Sequence, residues 1–236
     1  MGTGPRIRPP VLEIGLKSYC WGAEAVRLAV EADRLAERLG VSVVFGAQAV
    51  DLPVIAAATG HLLPYAQHMD PLPPGRGVGS VLAEALREAG AVGTLLNHSE
   101  KRMAPADLAR AVIRARETGL GTLVFADSPP EAAALAQLGP DMILAEPPEL
   151  IATGRSVGGV MAEFVTEALA AVRAVDPAIL VLCGAGVSTG DDVAGMVRLG
   201  LDGAGTSSGI LKAADPVRVM REMLEALAGA WEERHR

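Results

Sequence analysis

Residues 11–47 read VLEIGLKSYCWGAEAVRLAVEADRLAERLGVSVVFGA, and this stretch decides the fold. VLEIGLK (11–17) and VSVVFGA (41–47) are short apolar runs of strand length, whereas AEAVRLAVEADRLAERLG between them is a longer Ala/Leu/Glu/Arg segment ending on glycine. Apolar runs of this length suit strands, and glycine just past a periodic segment is what a helix C-terminus prefers. A strand, a helix and a second strand with no antiparallel hairpin signal predict two parallel neighbours.

The same alternation continues down the chain. LLPYAQH (62–68), AVGTLLNH (91–98), GTLVFAD (121–127), DMILAEP (141–147), AILVLCGA (178–185) and LDGAGTSS (201–208) supply six more strand candidates, separated by helical segments such as PADLARAVIRARETG. Their mean spacing of about 27 residues is close to a minimal βα unit. Eight units in one domain-sized chain predict an α/β (β/α)8 barrel, a closed parallel sheet with outer helices, rather than an open doubly wound sheet. The expected organisation is a flexible extension over residues 1–10 and a single barrel domain over 11–236. The connection HMDPLPPGRGVG (68–79), with three Pro and three Gly, is expected to project as an irregular loop, the kind that often meets a partner subunit.

Composition narrows the function classes. Apolar residues make up 50 % of the chain and aromatics 3 %, so the interior is expected to be Ala, Val, Leu and Ile rather than large rings. A net charge of −7 lacks the basic excess of a nucleic-acid binder, and an anionic substrate would have to be captured by local dipoles. MGTGPRIRPP has no apolar core of signal-peptide length, and no apolar run approaches a membrane span. Cys20 and Cys183 are the two cysteines, far apart, and both are expected to be reduced. A soluble cytoplasmic protein is the expectation.

In a barrel, chemistry belongs where the βα loops converge, at the C-terminal ends of the strands. Lys17 ends the first predicted strand, His98 the fourth and Glu146 the sixth, and glycine-rich loops follow the seventh and eighth. A base, a polarising imidazole, a fixed cation and two phosphate cradles form a coherent set. GAGVSTG (184–190) also resembles a dinucleotide fingerprint loosely, but its third glycine falls one position late and it follows the seventh strand, which disfavours a nicotinamide enzyme.

LLNHSEKR (95–102), AEPPELIATG (145–154) and LCGAGVSTGDDV (182–193), with AQHMDP and SSGILKAADP in matching order, resemble the triosephosphate isomerase family, closest to its short archaeal-type branch. The likeness spans residues 11 to about 228. It implies an aldose–ketose isomerase of glycolysis and gluconeogenesis that interconverts dihydroxyacetone phosphate and glyceraldehyde 3-phosphate through an enediolate, with no metal and no organic cofactor. By that resemblance Glu146 is the base that moves the proton. His98 is a neutral hydrogen-bond donor, kept so by the dipole at the start of a helix SEKRM, and Lys17 is the charge that holds phosphate and enediolate. Phosphate would rest on backbone N–H groups of Gly186, Ser208, Gly209 and, in the lid segment 147–157, Ala152. Glu100 would be the acidic partner of the lysine, and Ser99 would cap the helix after the fourth strand. A homodimer or homotetramer, with no nucleic-acid or membrane partner, is implied as well.

Three positions depart from the family pattern. Gly15 stands where the family reads Asn in Asn-x-Lys, Val78 stands where a partner's threonine would reach that Asn, and Ala152 replaces a lid glycine. A glycine at 15 could open space for a longer substrate, so an isomerase of a four-carbon sugar phosphate is the alternative reading. A barrel that binds sugar phosphate without turnover is a third.

Overall fold

The computed structural model describes residues 7–147, 159–184 and 186–236. Strands β1 (Val11–Gly15), β2 (Ser42–Ala47), β3 (Leu63–Ala66), β4 (Gly93–Leu96), β5 (Gly121–Ala126), β6 (Met142–Ala145), β7 (Leu180–Cys183) and β8 (Gly203–Thr206) pair in chain order. All eight pairings are parallel, and β1 also pairs with β8, which closes the barrel. Around it run α1 (Gly22–Leu39), α2 (Leu52–Ala58), α3 (Ala83–Glu88), α4 (Pro105–Thr118), α5 (Pro129–Ala136), α6 (Gly159–Val175), α7 (Gly190–Arg198), the four-residue α8 (Ser208–Leu211) and α9 (Pro216–Arg234). Each strand lies inside the run from which it was expected. The short α8 was not foreseen, because four residues are too few to show a helical period.

Alternation along β1 separates two cores. Leu12, Ile14 and Leu16 point outward into the layer packed against the helices, while Val11 joins Val44, Leu123, Met142 and Leu182 inside the barrel. Helix α1 meets the sheet through Ala25, Leu28, Ala29, Ala32, Leu35 and Ala36, a stripe at i, i+3, i+4 and i+7. Its alanines let the axis approach closely, and each buried leucine contributes about 2 kcal/mol. Gly40 and Gly119, at φ 65° and 73°, end α1 and α4 in the left-handed region.

The expected exclusion of large rings from the interior is corrected by Tyr65 and Phe125, which both sit inside the barrel. Tyr65 is fully buried, and the strands beside it carry glycine where its ring lies. A Cβ at Gly93 would stand 2.2 Å from the tyrosine Cζ, and one at Gly121 would stand 2.5 Å from its hydroxyl oxygen. One ring therefore replaces several aliphatic side chains. At the opposite end of the sheet order, a Cβ on Gly203 would fall 1.9 Å from the Val11 carbonyl oxygen, so the β1–β8 seam accepts glycine alone.

Residues 7–10 lie against the barrel. Ile7 packs on the inner core, the Arg8 carbonyl accepts from the Ser42 hydroxyl at 2.7 Å, and the Pro10 carbonyl accepts from the Ser42 N–H at 3.0 Å. Among the described residues no helix is long and apolar enough to cross a membrane.

Candidate active site

A cavity of about 460 Å³ opens at the C-terminal end of the barrel, lined by Lys17, His98, Glu146, Gly186, Ser208 and Gly209 among others. Lys17 follows β1 with φ 47°, a conformation that costs a non-glycine residue energy and persists where its surroundings hold it. The holder is Gln67, just past β3, whose side-chain amide donates to the Lys17 carbonyl at 2.9 Å and to the Gly46 carbonyl at 3.2 Å. The lysine Nζ then reaches Glu100 Oε1 at 2.7 Å. That pair holds the Glu100 carboxyl below its ordinary range, with the hydrogen bond from Lys17 the largest cause.

His98 lies two residues past β4 and precedes a single 3₁₀ turn, Ser99–Lys101. Its Nδ1 accepts the Glu100 backbone N–H at 3.0 Å, so the neutral ring carries its proton on Nε2. This corrects the expected role of Ser99. The serine is the first residue of the turn, and the imidazole ahead of it supplies the capping acceptor. Burial, aided by the positive charge of Lys17, pushes the His98 pKa down to about 4. The ring is braced by Phe125, edge to face at 4.7 Å between centroids. Below it, Asn97 at φ 63° donates to the Phe125 carbonyl at 3.1 Å and accepts from the Met103 N–H at 3.2 Å. Arg102 donates to the Asn97 carbonyl at 3.1 Å and forms an ion pair with Asp127 past β5.

Glu146 emerges from β6, its N–H donating to the Ala126 carbonyl at 2.8 Å. Its Oε2 stands 3.9 Å from His98 Nε2, and both side chains are 15 % exposed. Burial raises the Glu146 pKa, opposed by Lys17 and reinforced by Glu100. A carboxylate so placed is more basic than one in water.

A second carboxyl, Glu13 of β1, also lines the cavity, although it is 4 % exposed. It occupies the room that Gly15 was expected to leave open: a Cβ on Gly15 would be 2.9 Å from Glu13 Oε1. Burial, then the nearby Glu146 charge, raise the Glu13 pKa to about 8 against a smaller lowering by Lys17.

The loops after β7 and β8 form the opposite wall. Gly186 takes φ 74°. The loop that follows is fixed by a capping box at the start of α7, in which Asp192 Oδ2 accepts from the N–H groups of Ser188 and Thr189 at 3.0 and 2.9 Å. The two loops are stitched by Thr206 Oγ1, which donates to the Val187 carbonyl at 2.9 Å. Gly209 fits beneath, since a Cβ there would be 2.8 Å from that same carbonyl oxygen. Ser208 and Gly209 open α8, where backbone N–H groups have no partner within the helix. Ser207 Oγ is buried on this wall without a hydrogen-bond partner among the described residues.

Lys17, His98, Glu100, Glu146, Gly186, Ser208 and Gly209 thus share one cavity. Ala152, and the expected lid apart from Pro147, lie outside the described residues. Glu13, Gln67, Asn97, Arg102 and Ser207 were not picked out from the sequence. Alternation along β1 could have found Glu13, which shares a face with Gly15 and Lys17. The others lie in the loops past strand ends, where no sequence period marks them. Away from the cavity, Val78 is fully exposed at the tip of the loop after β3, and Trp21 is 64 % exposed beside the first loop.

The family model described as triosephosphate isomerase matches residues 10–225. Curated relatives carrying that name include one from Methanothermobacter thermautotrophicus, 40 % identical over 88 % of this chain and 91 % of its own length. Another, from Pyrobaculum calidifontis, is 39 % identical over 95 % of this chain and 99 % of its own. A third, from Methanothermus fervidus, is 37 % identical over 91 % and 97 %. Among solved structures, the Bartonella henselae triosephosphate isomerase superposes with a TM-score of 0.73 at 20 % identity, covering 90 % of this chain and 98 % of the other, a likeness of fold.

Proposed function

This chain belongs to the triosephosphate isomerase family and is an aldose–ketose isomerase, and we propose that Glu146, His98 and Lys17 carry its interconversion of dihydroxyacetone phosphate and glyceraldehyde 3-phosphate. The observation that carries this reading is the facing pair, His98 Nε2 at 3.9 Å from Glu146 Oε2, in a cavity that Lys17 also lines.

In this scheme Glu146 takes a proton from C1 of the bound ketose, and the electron pair passes through C1–C2 to the carbonyl oxygen, forming an enediolate. The Nε2–H of His98 donates to the oxygen on which charge develops. A neutral donor suits this step, because its own proton stays on nitrogen until the oxygens exchange theirs. Lys17, oriented by Glu100 and Gln67, places positive charge beside the enediolate and the phosphate. The Nε2 proton passes to O2 and the ring takes the proton of O1; as the C1=O bond forms, Glu146 returns its proton to C2, and the aldose results. No metal or organic cofactor takes part.

Gly186, Ser208 and Gly209, together with Ala152, are the proposed phosphate donors, which lets a chain of net charge −7 bind an anion through backbone dipoles. The exposed Trp21 and Val78 support a homo-oligomer, dimer or tetramer, built from the first and third loops. A cytoplasmic setting is part of the same reading, and Cys20 and Cys183 are both buried. A single barrel domain over residues 11–236 completes the proposal.

A coupled spectrophotometric assay of the purified protein in both directions tests it. Wild type should interconvert the two trioses, with Glu146→Gln slower by several orders of magnitude. An inactive wild type would reject the assignment.

A further inference from the structure

Among the described residues, Glu13 is the one acidic side chain lodged within the barrel that the mechanism above leaves without a task. It is not there by tolerance alone, because three strands make room for it. A Cβ on Gly15 would stand 2.9 Å from its Oε1, one on Gly46 3.4 Å from the same oxygen, and one on Gly205 3.1 Å from Oε2. The carboxyl sits in a ring of glycines from β1, β2 and β8. Its remaining exposed surface faces the cavity that holds His98 and Glu146, with Leu95, Phe125 and Leu144 as apolar floor.

A ligand entering this cavity meets two polar environments. The phosphate wall of Gly186, Ser208 and Gly209 lies on β7 and β8, while Glu13 lies deep among the residues around Glu146. The tie to Glu146 is double: the two carboxyls interact electrostatically, and Gly184, whose Cβ would stand 3.2 Å from Glu146 Oε1, has its Cα 3.6 Å from the Cβ position of Gly205 beside Glu13. The carboxyl therefore lies on the Glu146 side of the cavity rather than at the loops after β7 and β8.

We propose that Glu13 is a substrate-binding residue whose carboxyl donates a hydrogen bond to an oxygen of the reacting end of the sugar phosphate, in the space an asparagine at position 15 would otherwise need. This inference rests on the isomerase assignment above. A protonated carboxyl offers one donor and one acceptor, as a primary amide does, so it can serve the same oxygen. Burial among glycines and leucines keeps the proton on Glu13 through neutral pH, and its pKa of about 8 places the loss of that donor on the alkaline side. The charged or titratable groups that share its cavity are Lys17, His98, Glu100, Lys101, Glu146 and Lys212. Above its pKa an ionised Glu13 would repel both the Glu146 carboxylate and the anionic intermediate.

The test is steady-state kinetics on both trioses from pH 6 to 9.5 with wild type, Glu13→Gln, Glu13→Ala, Gly15→Asn and the double variant Glu13→Ala/Gly15→Asn, each checked by circular dichroism for intact fold. Removing a donor to the developing oxyanion predicts a loss of about 100-fold in kcat/KM for Glu13→Ala, mostly in kcat. Glu13→Gln keeps a donor and should recover at least a tenth of wild-type activity while losing the fall in kcat/KM above pH 8. Gly15→Asn alone should be impaired by its clash with Glu13, and the double variant should exceed either single variant. A Glu13→Ala enzyme with wild-type kcat/KM and an unchanged alkaline limb would overturn the inference and leave the isomerase assignment standing. Wild type without triose turnover at any pH would overturn both.

Discussion

Replacing Glu13 by Gln should make the protein more stable at neutral pH, an outcome opposite to the usual cost of altering a buried residue. The carboxyl has an ordinary pKa of 4.5 and is raised to about 8 in the folded protein. Below pH 4.5 both folded and unfolded chains carry the proton, and the folded state bears no penalty. Between the two values the unfolded chain releases a proton that the folded chain retains, so stability falls as pH rises, by about 1.4 kcal/mol per pH unit. At pH 7 the accumulated loss is about 3 kcal/mol, and above pH 8 it levels off near about 5 kcal/mol. Glutamine has the same shape and no such proton to hold. For a domain of this size, about 3 kcal/mol corresponds to a rise of about 6 °C in Tm. Calorimetric melts at pH 5, 7 and 8.5 should therefore show a gap between variant and wild type that is small at pH 5 and widens with pH. A gap that does not change with pH, or a variant less stable than wild type at pH 8.5, would refute a buried neutral carboxyl.

Gly93→Ala should destabilise the fold by about 3 kcal/mol, because its Cβ would stand 2.2 Å from the Tyr65 ring. Denaturant melts of Gly93→Ala, Tyr65→Leu and the double variant should be non-additive, and strict additivity would show that the ring does not set this limit. His98, with its pKa down to about 4, should remain neutral with its proton on Nε2 at pH 5.5. Nitrogen-15 NMR of labelled histidine reads this directly, and a His98 titration centred near its ordinary 6.5 would contradict it.

The barrel was legible because its evidence is repeated. Eight apolar runs at an even spacing over-determine a parallel sheet, and a misread of any one would not have changed the answer. Lys17, His98 and Glu146 could be placed near strand ends for a related reason, since Lys17 and His98 close their runs and Glu146 stands one residue before the end of its own. What lay beyond reading depends on contacts between distant loops. Ser99 looked like a cap by residue type, yet the imidazole before it reaches the same N–H at 3.0 Å. Gly15 looked like vacated space because sequence shows a missing side chain and not the neighbour that fills it. The low aromatic content suggested an aliphatic interior, but composition counts rings without locating them, and Tyr65 needs only Gly93 and Gly121 opposite it to be accommodated.

The β1–β8 seam has a consequence for how the chain reaches this state. Val11 pairs with Gly203, so the contact that closes the sheet joins residues far apart in sequence and carries a large loop-closure entropy. Until β8 arrives, one edge of β1 is an unpaired row of backbone donors and acceptors flanked by Leu12 and Ile14, the sort of edge that recruits other chains. During synthesis that edge is made early and covered late. A Cβ at Gly203 would oppose that covering through its clash with the Val11 carbonyl, and its first symptom would be aggregation of the nascent protein.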